Sequence, residues 1–216
     1  MPVYSLNNDL VFPHPSLSRE DGLLAVGGDL SEERLLLAYE NGIFPWFNAE
    51  DPPLWWSPPG RAVLFLDELK ISKSLKQELR KTGYEVRFNS EFKSVINACQ
   101  TVREKEGTWI TEDIIEAYCS LHKKGIARSV ETYFNGKLVG GLYGLVIGKV
   151  FCGESMFSLR SNASKVALFH LVNKLSEEQF KFIDCQIMNP HLQSLGAREI
   201  PRIEFLETLK NSLKPL

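Results

Sequence analysis

The sequence predicts a mixed α/β (α+β) fold in two parts, a small N-terminal domain over residues 1–60 and a larger domain over residues 61–216. Three observations predict it. Eight of the eleven prolines (Pro2, Pro13, Pro15, Pro45, Pro52, Pro53, Pro58 and Pro59) and three of the four tryptophans (Trp46, Trp55 and Trp56) fall in the first 60 residues. That stretch is punctuated too often for long regular elements. Beyond it the patterns run as helices, an antiparallel meander, a helix and a strand, which is not a plain βαβ repeat. Finally, 216 residues with 44% hydrophobic and 24% charged side chains have a globular composition and enough length to bury a substantial core.

One helix is expected in the N-terminal part. Asp29-Leu30-Ser31-Glu32-Glu33 supplies a capping residue and early acidic charge, which suit the positive end of a helix dipole. Leu35, Leu36, Ala38 and Tyr39 supply its apolar face, and Gly42 a stop. The remainder of this part reads as irregular, aromatic-rich loops. In the larger part, residues 62–66 read as a strand, 72–81 as a helix ended by Gly83, 84–88 as a strand and 90–103 as a helix. Thr111-Glu112-Asp113 opens a helix to about residue 123, with Gly125 after it. Strands over 129–134 and 138–147 meet across Asn135-Gly136, a strong hairpin signal, and a third over 149–157 follows around Gly148. Residues 162–175 are amphipathic, with Leu168, Leu171, Val172 and Leu175 on one face. A buried strand over 180–186 and a helix over 203–213 complete the series. This order matches the general layout of the N-acetyltransferase superfamily, and there is no internal repeat.

A net charge of -2 and a pI near 6.1 speak against wrapping a long nucleic-acid duplex, though not against gripping one end of a tRNA through a local patch. The four cysteines (Cys99, Cys119, Cys152 and Cys185) form no CxxC pair, so no metal site is expected and the thiols read as reduced and structural. Met1-Pro2-Val3-Tyr4 leads into no signal-peptide pattern, and no apolar run approaches the roughly 20 residues that span a bilayer. A cytoplasmic protein without membrane association is expected.

Four segments combine aromatic, glycine and polar residues in ways a core does not require. They are Asn41-Gly42-Ile43-Phe44-Pro45-Trp46-Phe47, Glu106-Gly107-Thr108-Trp109-Ile110-Thr111, Phe151-Cys152-Gly153-Glu154-Ser155-Met156-Phe157 and Ile183-Asp184-Cys185-Gln186. With Gly27-Gly28-Asp29, Leu54-Trp55-Trp56-Ser57-Pro58 and Asn162-Ala163-Ser164-Lys165, they resemble the leucyl/phenylalanyl-tRNA–protein transferase family. The resemblance runs from about Gly22 to about Arg202, with the seven motifs in order. It implies an aminoacyltransferase on an N-acetyltransferase-like domain, needing no cofactor. Such an enzyme moves Leu, Phe or Met from charged tRNA to proteins beginning with Arg or Lys and marks them for N-end rule degradation. A monomer is expected.

The residues agree with such chemistry. An aminoacyl ester is already activated, so positioning two substrates and handling one proton suffices, and placement alone supplies about 7–11 kcal/mol in favourable intramolecular models. No Ser-His-Asp or Cys-His pattern is needed. His14, His122, His170 and His191 show no paired spacing and read as surface or cap residues. The resemblance places Trp46 and Trp109 on either side of the terminal adenosine, with Tyr39 and Tyr118 near it. Stacking on such rings is worth roughly 1–3 kcal/mol and ignores base identity. Trp55 and Trp56 read as structural. Glu154, a carboxylate in an apolar strand, is implied at the donor site. Asp184 and Gln186, two apart on one strand, share a face; the resemblance implies that Asp184 binds the acceptor amine and that Gln186 lies beside the ester, with orientation by Asp184 first and proton removal second, since an aspartate is a weak base unless burial raises its pKa. On this expectation Asp184→Asn lowers transfer sharply and preserves donor binding. Met156, Leu171, Leu175 and Ile183 are implied to line the donor side-chain pocket, although the two leucines also suit an ordinary core. Lys73, Lys76, Arg80 and Lys81 are implied to meet the tRNA acceptor stem, and a solvated helix face has the same pattern.

Two rival readings are weaker. An acyl-CoA N-acetyltransferase is expected to carry a glycine-rich pyrophosphate loop, and Leu159-Arg160-Ser161-Asn162-Ala163-Ser164-Lys165 holds no glycine. A non-catalytic tRNA-binding or adaptor protein does not account for Glu154, Asp184 and Gln186 together.

Overall fold

Short strands run between the loops of the first 60 residues. In the computed structural model, which describes residues 2–103 and 107–213, β1 (Tyr4–Leu6), β2 (Leu23–Gly27), β3 (Phe44–Pro45) and β4 (Leu54–Trp56) form a four-stranded sheet of order β1-β2-β4-β3. A single 3-10 turn (Pro15–Leu17) lies between β1 and β2. The helix expected here is α1 (Glu32–Glu40), and its first turn is capped by the Ser31 side chain accepting from the Arg34 amide.

The larger part carries a seven-stranded sheet of order β11-β5-β10-β9-β8-β7-β6. Its strands are β5 (Gly60–Phe65), β6 (Tyr84–Phe88), β7 (Ala127–Phe134), β8 (Lys137–Ile147), β9 (Val150–Ser158), β10 (Phe182–Gln186) and β11 (Arg198–Pro201). The helices are α2 (Lys73–Leu79), α3 (Phe92–Thr101), α4 (Glu112–Lys123), α5 (Ala163–Glu177), α6 (Pro190–Leu195) and α7 (Arg202–Ser212). Strands β7 to β9 form the expected antiparallel meander, with Asn135 and Gly136 both at positive φ in the β7–β8 turn, and β6 pairs antiparallel with β7 beside it. Helix α5 then crosses over, so β10 lies parallel to β9. Helix α6 and edge strand β11 had no counterpart among the sequence expectations; both are short, and α6 is defined by an Asn189 cap and a left-handed Gly196.

Two irregularities shape the middle of this sheet. In the β8–β9 pair, Tyr143 faces Ser155 and Gly144 faces Gly153, so Glu154 is an extra residue on β9. In the β5–β10 pair, Val63 faces Asp184 and Ala62 faces Gln186, so Cys185 is an extra residue on β10. The parallel pairing of β9 and β10 ends at Cys152 and Asp184. Bulges bend a strand and re-aim its side chains, and here two of them coincide where neighbouring strands part.

Each face of the large sheet carries a core. On one face α5 lays Leu168, Leu171, Val172 and Leu175 against Leu64, Val130, Phe151 and Ile183. On the other, Val63, Tyr143, Leu145 and Phe157 join α3, α4 and α7 and also Leu24, Leu35, Tyr39 and Trp55 of the first 60 residues. The two sheets therefore share one continuous apolar cluster. No described helix is long and apolar enough to cross a membrane.

Candidate active site

A cleft of about 380 Å³ opens where β9 and β10 separate. Trp46, Arg103, Trp109, Glu154, Met156 and Gln186 are among its lining residues. Two loops present the tryptophans. Trp46 follows β3, is 45% exposed, and is steadied by Trp56, whose indole N–H donates to the Trp46 carbonyl at 2.6 Å while the rings lie 5.7 Å apart. Trp109 precedes α4. The neighbouring Ile110 is buried, its carbonyl accepts from the Gln100 side chain, and its amide donates to Thr108. An exposed indole and a half-buried one lining one cleft suit a flat apolar ligand. Glu106, the first residue of that sequence segment, lies outside the described residues.

The β9 bulge delivers Glu154 into the cleft floor. Its carboxylate accepts from the Tyr39 hydroxyl at 2.7 Å, from the Tyr118 hydroxyl at 3.3 Å and from the Gln186 side-chain amide at 2.8 Å. The two tyrosine oxygens are 2.5 Å apart. Four elements, α1, α4, β9 and β10, thus meet in one polar network. Glu154 keeps some surface toward the cleft, but its carboxylate sits deep among these groups. Burial pushes its pKa up to about 8; the Tyr39 hydrogen bond pulls the other way, and the Asp184 charge adds to the rise. Tyr39 and Tyr118 are themselves held far above their usual range by burial and then by the Glu154 charge, so both stay hydroxyl donors. Their rings have essentially no exposed surface, so they act on the cleft through Glu154.

Asp184 lies one layer deeper. It is fully buried and does not line the cleft. Its carboxylate takes both Arg61 Nε and Arg61 Nη2 at 2.8 Å and also accepts the Gln186 backbone N–H at 2.9 Å. The Arg61 guanidinium is stacked between the rings of Phe44 and Phe205, at 4.6 and 4.5 Å, and donates to the Gly42 carbonyl. Burial alone lowers the Arg61 pKa; the Asp184 charge overcomes this and holds it above the usual arginine range. Gln186, at φ 65°, turns its side chain back to Glu154. The shared face expected for Asp184 and Gln186 is thus modified by the Cys185 bulge between them: the glutamine reaches the cleft and the aspartate supports it from behind.

The apolar wall is formed by Met156, Cys185, Met188 and Leu192, which also pack against the α5-side core. Of the four residues expected to line the donor pocket, Met156 is in this wall. Ile183 sits directly behind Gly153, whose added Cβ would come 3.5 Å from it. Leu171 and Leu175 do not reach the cleft; they are 4% and 1% exposed and belong to the core under α5. Lys73, Lys76, Arg80 and Lys81 are exposed on α2 and the turn after it, outside the cleft lining, with Lys81 paired to Glu78 at 2.6 Å. All four cysteines are free thiols.

Six lining residues lie outside the segments singled out from the sequence: Arg103, Ile187, Met188, Asn189, His191 and Leu192. His191, expected on the surface or at a cap, stands at the first turn of α6 and lines the cleft. Burial, and then the charge of Lys165, lower its pKa. Arg61 was also unremarked, although a charged residue opening the apolar run Ala62-Val63-Leu64-Phe65 signals a buried partner.

Comparison with known proteins joins this geometry to a family. Residues 63–210 match the family described as leucyl/phenylalanyl-tRNA protein transferase, and residues 28–59 match its N-terminal domain. A leucyl/phenylalanyl-tRNA–protein transferase of Flavobacterium johnsoniae is 55% identical over 211 residues, covering 97% of this chain and 100% of that protein. One of Nitrosospira multiformis is 56% identical over 208 residues, covering 95% and 90%. Among solved structures, FemX aligns with a TM-score of 0.53 at 9% identity, over 79% of this chain and 67% of that one, a likeness of fold alone. The antiparallel meander, the crossover helix and the parallel strand that splays from it form the N-acetyltransferase-like architecture the element order predicted. The cleft, the two matched regions and the near full-length identity place this chain in the leucyl/phenylalanyl-tRNA protein transferase family of aminoacyltransferases.

Proposed function

We propose that the enzyme moves Leu, Phe or Met from the 3′ end of an aminoacyl-tRNA to the α-amine of proteins beginning with Arg or Lys, and that the β9–β10 cleft is where it does so. The observation that carries this is the cleft itself. It joins two tryptophans, an apolar wall and a carboxylate–amide network within one opening of about 380 Å³. On this reading Trp46 and Trp109 hold the terminal adenosine, and Met156, Met188 and Leu192 receive the donor side chain. The acceptor nitrogen attacks the ester carbonyl carbon. The N–C bond forms, the C–O3′ bond breaks, and the proton lost from nitrogen goes in the end to the departing 3′ oxygen. The Gln186 amide nitrogen is committed to Glu154, so its oxygen is available to accept from the amine. Glu154 is the ionisable side chain nearest that exchange, and Tyr39 and Tyr118 fix its position. Asp184 is a positioning residue that acts through the Gln186 backbone and Arg61 rather than a group that meets the amine. In this scheme Lys73, Lys76, Arg80 and Lys81 serve the acceptor stem, and the enzyme works as a cytoplasmic monomer.

The test is direct. The purified protein is incubated with radiolabelled Leu-tRNA and matched acceptors beginning with Arg, Lys or Ala. Label is expected in the first two and not in the third. Absence of label in the Arg acceptor, with Leu-tRNA intact, overturns the proposal.

A further inference from the structure

Among the described residues, Arg103 is the one lysine or arginine that lines the cleft. It follows the last turn of α3, and its Nη1 donates to the Ser155 hydroxyl, on the residue next to Glu154. Among the described residues its guanidinium enters no ion pair with a carboxylate. The carboxylate of the neighbouring Glu154 is engaged by Tyr39, Tyr118 and Gln186 rather than by Arg103. Among the described residues, the Ser155 hydroxyl, a neutral group, is the side chain that holds this cation in the cleft wall.

The charges of the two substrates decide which of them it serves. The acceptor brings an α-amine and a basic first side chain, both repelled by a guanidinium. The donor brings a phosphodiester immediately 5′ of the adenosine that the tryptophans would hold. A planar guanidinium with donors left over is matched to two phosphate oxygens.

We propose that Arg103 binds the phosphodiester on the 5′ side of the donor's terminal adenosine and so sets how far the 3′ end enters the cleft. This rests on the reading of the cleft as the aminoacyl-tRNA site and adds a specific anchor to it. Ser155 is the positioning residue for that anchor.

Three leucyl-ester donors separate the possibilities: full-length Leu-tRNA, the leucyl ester of cytidylyl-adenosine, which keeps one phosphodiester, and leucyl-adenosine, which has none. Arg103→Gln is expected to raise KM roughly tenfold for the tRNA and the dinucleotide, leave kcat within about twofold, and leave the nucleoside donor unaffected. Arg103→Lys is expected to recover part of the loss, because charge survives without the fork. The slope of log KM against log salt should become shallower by about 0.7 for the full-length tRNA. An equal KM rise for leucyl-adenosine overturns the proposal and makes Arg103 a prop of the cleft wall. An unchanged KM for the dinucleotide overturns it as well. If the wild-type protein transfers leucine from none of the three donors, the underlying functional reading fails first and the anchor with it.

Discussion

Glu154 and Asp184 are two carboxylates on adjacent strands in opposite conditions. Glu154 has no ion pair among the described residues, and burial of its carboxylate pushes its pKa up to about 8, where its usual value is 4.5. Between those values the folded chain keeps a proton that the unfolded chain gives up. Stability therefore falls as pH rises from about 4.5 to about 8 and levels off above that. Glu154→Gln removes this contribution, so melting temperatures measured from pH 5 to 8 should fall less steeply than in the wild type. Asp184, by contrast, shares a buried pair with Arg61. Asp184→Asn leaves the guanidinium buried without its countercharge, and urea denaturation should show a loss of about 3–5 kcal/mol. The double change Arg61→Met with Asp184→Leu should lose less than this, since no charge is stranded. The sequence marked Glu154 as a carboxylate in an apolar strand and Asp184 through its spacing from Gln186 and the family resemblance, but nothing local showed which acid has a cation for a partner. The partner of Asp184 lies 123 residues away, and that distance is why a direct contact with the amine was expected where the role proposed above is a supporting one.

Elements were legible where the signal was local. Helix α1 with its Ser31 cap, α4 with its Thr111 cap and the Asn135-Gly136 hairpin stand as expected, because each is specified within a few neighbouring residues. Strands β1, β3 and β4 hold only three, two and three residues, too few to show a period of two against a background of prolines. Bulges were invisible for a different reason. They are properties of a register between two strands, and no single strand encodes them. Helix α2 shows the limit of charge patterns. Its lysines are exposed, as either reading required. Lys73→Glu with Lys76→Glu is expected to weaken use of full-length tRNA, with the salt slope reduced by about 0.9 for each phosphate that is no longer neutralised. Transfer from leucyl-adenosine should be unchanged, and a fall in both assays would assign α2 to folding instead.

At the scale of the whole molecule, the two parts are proposed as structural units, residues 1–60 and 61–216, that do not stand alone. Leu24, Leu35, Tyr39 and Trp55 share a cluster with Tyr118, Tyr143 and Phe157. A chain of residues 61–216 alone should expose that face, bind a hydrophobic dye and lose cooperative thermal unfolding, whereas two independent domains would each keep a sharp transition. The layout expected from element order survived because helix and strand sequence sets which connections are feasible. The site was readable mainly as a set of marked residues, since the order of strands in space is what gathers them. Arg61 has a wider reach than its own ion pair suggests. One of its nitrogens holds the Gly42 carbonyl, four residues before Trp46, and two others hold the acid that anchors Gln186. The loop that would clasp the nucleotide and the strand end that would meet the incoming protein are therefore fastened to a common peg, so slack introduced there must loosen the grip on both reactants at once.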